Sequence, residues 1–199
     1  MKFILPLLLC PFLFYAQDTA RTYLEEIGEY RNHLNQEFAN PEESPLTKED
    51  LATFEGLDFY PADPQYRVTA RFERSQDAQP FEMKTTTSRK PVYEEFGKAH
   101  FELDGKPYVL HIYQSHRLRT LEEFKNHLFL PFTDLTNGNG SYGGGRFIDL
   151  EIPEGDTMVI DFNKAYNPYC AYNSRYSCPI PPAENHLETA IEAGVKADH

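Results

Sequence analysis

From residue 66 onward, short segments carry apolar side chains at alternate positions, and this period of two constrains the fold most strongly. Between Tyr66 and Phe72 they alternate with polar residues, as in a β-strand that buries one face. The pair Asp104-Gly105 is typical of a tight turn between two antiparallel strands. Further strands are predicted at 81–87, 96–103, 108–113, 128–132, 147–152, 158–162 and 187–193.

Two helices are predicted before the first strand. Between residues 19 and 39 apolar side chains recur every three or four positions, and Pro41 then ends the helix. A second, short helix begins after an N-cap residue, Thr47, and ends at Gly56. The chain is therefore predicted to be mainly β, an antiparallel sandwich or a partly closed barrel with the N-terminal helices packed against it.

The N-terminus has one lysine followed by an apolar run, in the letters MKFILPLLLCPFLFYAQ. A run of about 13 apolar residues is too short to span a bilayer, which needs about 20. It is typical of a secretory signal peptide cleaved after Ala16. We therefore predict a signal peptide at 1–16 and one β-rich domain at 17–199, exported to the periplasm or the extracellular space. The alternatives are an uncleaved membrane anchor and a lipid on Cys10, although bulky Leu9 precedes that cysteine.

Charge narrows the choice of partners. The net charge of the chain is −12, and loss of Lys2 with the signal peptide makes it −13. Nucleic acid and anionic membranes repel such a chain, so neither is predicted as a generic partner. No later stretch is long and apolar enough for a membrane-spanning helix. No stable membrane insertion is therefore predicted after cleavage. A small-molecule ligand stays open as a partner, and the oligomeric state is not predicted.

Two cysteines, Cys170 and Cys178, remain after cleavage. An even pair in an oxidising compartment predicts a disulfide. The alternatives are a redox pair or two zinc ligands, but the seven intervening residues match neither a C-x-x-C motif nor a zinc knuckle. The histidines are scattered along the chain, so we predict no metal site and no cofactor.

A glycine-rich segment is the first candidate for a binding site. Tyr142 is followed by Gly143-Gly144-Gly145 and then by Arg146, at the start of a predicted strand. Glycines let backbone N–H groups approach an anion closely, and an arginine can hold a carboxylate or phosphate with two hydrogen bonds. The alternative is a wide hairpin turn in which Arg146 pairs with Asp149 or Asp161.

A polar strand edge is the second candidate. Asp161 and Asn163 alternate with apolar residues, so they share one face of a strand that leads into Tyr166 and Asn167. Such an edge can bind a ligand or exchange protons. The alternative is a structural role, because the irregular segment that follows needs partners for its backbone polar groups.

Three blocks of sequence resemble a bacterial and archaeal family that is known only as a domain of unknown function. They are GLDFYP at 56–61, YGGGRFIDL at 142–150, and DFNKAYNPYCAYN with CPIPPAEN between residues 161 and 185. The resemblance covers about residue 20 to residue 196 and implies one fold-sized unit. It also implies that both cysteines belong to the family pattern, and it supplies no catalytic residues.

Three functional hypotheses follow from these residues. The first is a binding module for a small polar or anionic ligand, with a pocket formed by Tyr142, Gly143, Gly144, Gly145, Arg146, Asp161, Asn163, Tyr166 and Asn167. The second is an envelope hydrolase in which Asp161 and Glu184 act as general acid and base while Arg146 clamps the substrate. The third is a non-catalytic structural or interaction protein. Whether the chain is an enzyme stays open at this point.

Overall fold

The computed structural model describes residues 12–197, so most of the predicted signal peptide lies outside the described residues. Helix α1 spans Phe12–Ala39, which confirms the predicted helix and extends it through Ala16, the predicted cleavage site. Helix α2 spans Lys48–Ala52, and the hydroxyl of Thr47 accepts a hydrogen bond from the Asp50 amide at 3.1 Å, as an N-cap does. Neither helix, as far as described, has the length and apolarity of a membrane span.

Eight strands form one curled sheet with the shape of a half-barrel. They are β1 Arg67–Arg74, β2 Phe81–Glu82, β3 Val92–Leu103, β4 Lys106–Ser115, β5 His127–Asp134, β6 Arg146–Glu151, β7 Thr157–Asp161 and β8 His186–Leu187. Six run in the order β6-β5-β4-β3-β1-β7, while β2 pairs with β3 and β8 pairs in parallel with β5. The predicted antiparallel, partly closed fold with N-terminal helix packing is confirmed, and the strands within residues 12–197 form one sheet rather than the two of a sandwich.

The sheet is covered on both faces at β5, whereas β1 alternates buried and exposed residues. On β5 the side chains of Leu128 and Leu130 enter the main core, whereas Phe129 between them points to the opposite face, because side chains alternate along a strand. The C-terminal residues Leu187 and Ile191 complete the main core. The opposite face carries a second cluster, formed by Met83, Tyr93, Tyr113, Phe129, Phe147 and Cys178.

Two predicted strands are shorter in the structure, and side-chain hydrogen bonds explain why. The strand predicted at 187–193 is reduced to β8, because the guanidinium of Arg146 binds the carbonyls of Ile191 and Ala193 in place of a neighbouring strand. The strand predicted at 81–87 is reduced to β2. The hydroxyl of Thr85 donates to the Arg89 carbonyl at 2.5 Å, and such local bonds compete with a β-ladder.

Candidate functional site

A cavity of about 510 Å³ lies between α1 and the face of the sheet that is opposite the main core. The helix contributes side chains spaced three and four residues apart, which places them on one helical face. The strands β5 and β6 contribute alternate residues, and the irregular C-terminal segment closes the remaining side. The main lining residues from these three regions are Tyr30, His33, Leu34, Glu37, Phe38, His127, Phe129, Phe147, Asp149, Tyr166, Tyr169, Tyr176 and Cys178.

Specific hydrogen bonds fix α1 over this cavity. The hydroxyl of Tyr23 donates to the carboxylate of Asp161, whose two oxygens lie 3.0 and 3.1 Å away. The hydroxyl of Tyr30 donates to the backbone carbonyl of Lys164 at 2.9 Å. Ile27, one turn beyond Tyr23, is fully buried. The position of α1 beside the cavity is therefore fixed by contacts outside the cavity, such as that of Tyr23, as well as by residues that line it, such as Tyr30.

The polar centre of the cavity is Asp149, which joins two other lining residues. One carboxylate oxygen accepts a hydrogen bond from Nε2 of His127 at 2.8 Å, and the other accepts one from the hydroxyl of Tyr166 at 2.8 Å. The Asp149 side chain is 52% exposed, so it keeps capacity to accept further hydrogen bonds. Nδ1 of His127 is buried and has no partner among the described residues.

Burial, followed by the charge and hydrogen bond of Asp149, raises the pKa of Tyr166 well above its usual range. The phenol is therefore neutral and acts as a hydrogen-bond donor at physiological pH. Tyr166 thus holds Asp149 in place from the C-terminal segment, while His127 holds it from β5.

The structure places the predicted anion clamp, Arg146, away from solvent. Its side chain is fully buried and donates to the carboxylate of Asp134 at 2.8 Å, and not to Asp149 or Asp161. It also donates to the backbone carbonyls of Ile191 and Ala193. With the hydroxyl of Thr136 at 3.3 Å, four partners accept hydrogen bonds from the guanidinium, which therefore holds the C-terminal segment against the sheet.

The glycine triplet has a packing reason at its last position. Gly145 has φ +92°, and a Cβ there would lie 2.6 Å from the ring of Pro181 and 2.7 Å from the carbonyl of Phe132. Of the other predicted residues here, Tyr142 and Gly143 line a smaller cavity of about 310 Å³, which Asn167 also lines. A ligand contact at these three residues stays a prediction.

The two predicted acid/base carboxylates have different surroundings. Asp161 is buried and accepts hydrogen bonds from Tyr23 and from the backbone amide of Asn163. Asn163 is fully buried. Its side-chain oxygen accepts a hydrogen bond from the backbone amide of Asp63, and its side-chain nitrogen donates one to the backbone carbonyl of Asp63. Glu184 lies exposed and accepts a hydrogen bond from the hydroxyl of Tyr113 at 3.0 Å. Asp161 and Asn163 thus anchor α1 to the end of β7, which is the structural alternative considered above.

Cys170 and Cys178 are both free thiols in the structure, so the predicted disulfide is not supported. The two residues do touch, because the amide of Cys170 donates to the sulfur of Cys178 at 3.2 Å. Burial raises the pKa of the Cys178 thiol to about 12, which keeps it protonated and unreactive at neutral pH. Among the described residues no three His, Cys, Asp or Glu side chains are grouped to hold a metal ion.

Comparison with known proteins gives a family. Residues 52–196 match the model of a protein family of unknown function, DUF1684. The chain belongs to the DUF1684 family. The predicted membership in an uncharacterised family is confirmed, with a matched segment that begins at residue 52 rather than near residue 20. No curated protein matches the chain.

A solved structure of similar fold is the solution NMR structure of an uncharacterised protein from gene locus rrnAC0354 of Haloarcula marismortui. It is 33% identical in sequence, with a TM-score of 0.69, and the match covers 91% of this chain and 97% of that one. This match extends beyond the DUF1684 segment. Helix α1 lies outside the segment that the family model matches.

The cavity residues on the sheet were not among the predicted site residues. A signal for them exists in the sequence, since Leu128 to Phe132 and Phe147 to Ile148 are apolar at consecutive positions. A strand that is apolar on both faces is covered on both faces. A single acidic residue on the second face, Asp149, then indicates a polar group that needs partners.

Proposed function

We propose that this chain is a small-molecule binding protein whose ligand occupies the cavity between α1 and the sheet. The observation that carries the proposal is the cavity itself, about 510 Å³ in volume, with ring-lined walls and one convergent polar group at Asp149. Ligand sites in proteins are mostly apolar clefts of about 300–1,000 Å³ with a few placed polar groups. The proposed function is thus a binding module, as in the first hypothesis from the sequence, but the proposed ligand site does not include Arg146.

The cavity has an apolar part and a polar part, and each is formed by different residues. Phe129 and Phe147 lie on rigid strands, with ring centroids 4.8 Å apart in an edge-to-face arrangement, and they supply a fixed apolar floor. Asp149 is already oriented by His127 and Tyr166 before any ligand arrives. A preorganised acceptor of this kind fixes the orientation of a ligand without further ordering cost.

A pair of leucine substitutions on α1 tests the proposal. Leu34 lines the cavity, so Leu34→Trp fills it, whereas Leu24 on the same helix is exposed and Leu24→Trp adds the same bulk to the surface. The probe is N-phenyl-1-naphthylamine, an uncharged dye that becomes fluorescent in apolar sites. We expect saturable binding by the natural chain and by Leu24→Trp, and at least about a tenfold loss in Leu34→Trp, since the steric block removes most of the buried contact.

Amide chemical shifts locate the dye independently of the substitutions. We expect the largest changes at Phe129, Phe147 and Tyr166. Equal dye binding by both tryptophan variants, or shifts confined to other regions, would refute the cavity as the site.

We also propose that the chain is exported, with cleavage after Ala16. The apolar run that precedes Ala16 supports this, and the first described side chain that anchors α1 to the sheet, Tyr23, lies beyond the cleavage site. Intact mass of the chain recovered from the periplasm of a bacterial host should show loss of residues 1–16. A full-length mass, or a lipid adduct on Cys10, would contradict the proposal.

A further inference from the structure

The permanently charged side chains that line the cavity are all acidic, whereas Lys164 and Arg175 contact lining rings without lining the cavity themselves. Its described lining residues include two carboxylates, Glu37 and Asp149, and neither a lysine nor an arginine. Glu37 lies on the helical wall and Asp149 on the sheet wall, with side chains 45% and 52% exposed. Both side chains are therefore accessible to solvent and to a ligand in the cavity.

Each of these carboxylates is paired with a histidine and not with a permanent cation. Nε2 of His33 lies 3.3 Å from Glu37, and Nε2 of His127 lies 2.8 Å from Asp149. Among the described residues, neither carboxylate forms an ion pair with a lysine or an arginine, so no permanent cation is bonded to either of them.

The walls themselves favour positive charge. Eight aromatic side chains line the cavity, five of them tyrosines. The face of an aromatic ring is electronegative and attracts ammonium and guanidinium groups within about 6 Å. The chain already uses two of these rings in this way, since Nζ of Lys164 lies 5.8 Å from the Tyr30 ring centroid and Cζ of Arg175 lies 4.7 Å from that of Tyr176.

The phenols of the cavity respond to the same negative potential. Burial is the largest cause of the raised pKa of Tyr30, and the charges of Asp149 and Glu37 add to it, against a smaller opposite effect of Arg31. The pKa of Tyr169 is likewise raised by burial first and then by Glu37. Carboxylates on both walls therefore act across the space that a ligand occupies.

We infer, on the basis of the binding function proposed above, that the cavity selects ligands bearing a positive charge, of the alkylammonium class. An aromatic enclosure with two partly exposed carboxylates stabilises a weakly hydrated cation through ring faces and through charge. An anion meets two carboxylates and no lysine or arginine among the described lining residues. The inferred ligand class thus replaces the anionic ligand that the glycine-rich segment predicts.

A pair of isosteric probes tests the inference. Choline and 3,3-dimethylbutan-1-ol have the same shape, but only choline carries a charge. Each is titrated against the protein loaded with N-phenyl-1-naphthylamine, and displacement of the dye is measured. We expect choline to compete about tenfold more tightly than the alcohol. We expect Glu37→Gln and Asp149→Asn each to reduce choline affinity severalfold and to leave the alcohol unaffected.

Glu29→Gln is the matched control, because it removes the same charge from an exposed position of the same helix. It should leave choline affinity within about twofold of the natural chain, since exposed charges are strongly screened by salt. Equal affinity for the two probes, tighter binding of the alcohol, or displacement by neither would overturn the inference while dye binding still supports the cavity. Absence of dye binding as well would overturn the proposed function itself.

Discussion

Two carboxylates on neighbouring strands of one sheet, Asp134 on β5 and Asp149 on β6, have opposite surroundings. Asp134 is fully enclosed and accepts hydrogen bonds from Arg146, from Thr136 and from the amide of Ile191. Asp149 is half exposed beside a cavity and accepts two. A fully enclosed network specifies a structure, whereas a half-exposed one beside a cavity is available to a ligand. Residue type alone does not separate these roles.

Removal of Arg146 should destabilise the enclosed network around Asp134 far more than a change at Asp149 destabilises the half-exposed one. In Arg146→Ala the carboxylate of Asp134 stays buried without its cation, and two backbone carbonyls lose their donor. We expect the free energy of unfolding in urea to fall by about 3–5 kcal/mol. Asp149→Asn, which loses a charge on the open side, should cost less than about 1 kcal/mol.

A double substitution separates the buried charge from the lost packing. Arg146→Met combined with Asp134→Leu removes both charges and should be less destabilised than Arg146→Ala, because no buried ion is left unpaired. Nearly unchanged stability in Arg146→Ala would show that the Arg146–Asp134 pair does not stabilise the fold. Arg146 would then again be a candidate ligand contact.

The glycine triplet before Arg146 provides a second test of tight packing in this enclosed region, with a smaller expected effect on stability. Gly145→Ala places a Cβ against Pro181 and the Phe132 carbonyl at φ +92°, and we expect it to lower the free energy of unfolding by about 1–3 kcal/mol. At Gly143 an added Cβ meets its nearest neighbour, Gly138, at an ordinary 3.8 Å. Gly143→Ala should therefore change stability by less than about 1 kcal/mol. Equal effects of the two substitutions in thermal or urea unfolding would contradict the packing explanation.

The sequence allowed most of the sheet to be predicted, because the period of two is a local property that survives folding. The strands around Val68, Ala99 and Leu110 lie where the alternation predicts them. The partner of Arg146 could not be predicted, since Asp134 is twelve residues away and meets it only through the pairing of β5 with β6. The cavity was missed for the same reason, because its walls are brought together by tertiary packing of α1 on the sheet.

The smallest effect concerns Tyr166, the buried phenol of the open side. Its pKa is raised in the folded chain, first by burial and then by Asp149, so folding favours its protonated form. The stability that this provides is complete below the ordinary tyrosine pKa of about 10 and is lost as pH rises toward the folded value.

Between pH 9 and pH 11 the natural chain should therefore lose more free energy of unfolding than Tyr166→Phe, by about 1 kcal/mol. Urea unfolding at both pH values measures the difference, and Tyr108→Phe on β4 serves as a control away from Asp149. Equal losses in the natural chain and in Tyr166→Phe would show that the Tyr166 hydroxyl is as free to ionise as an exposed phenol, and that Asp149 has its second acceptor oxygen open to a ligand.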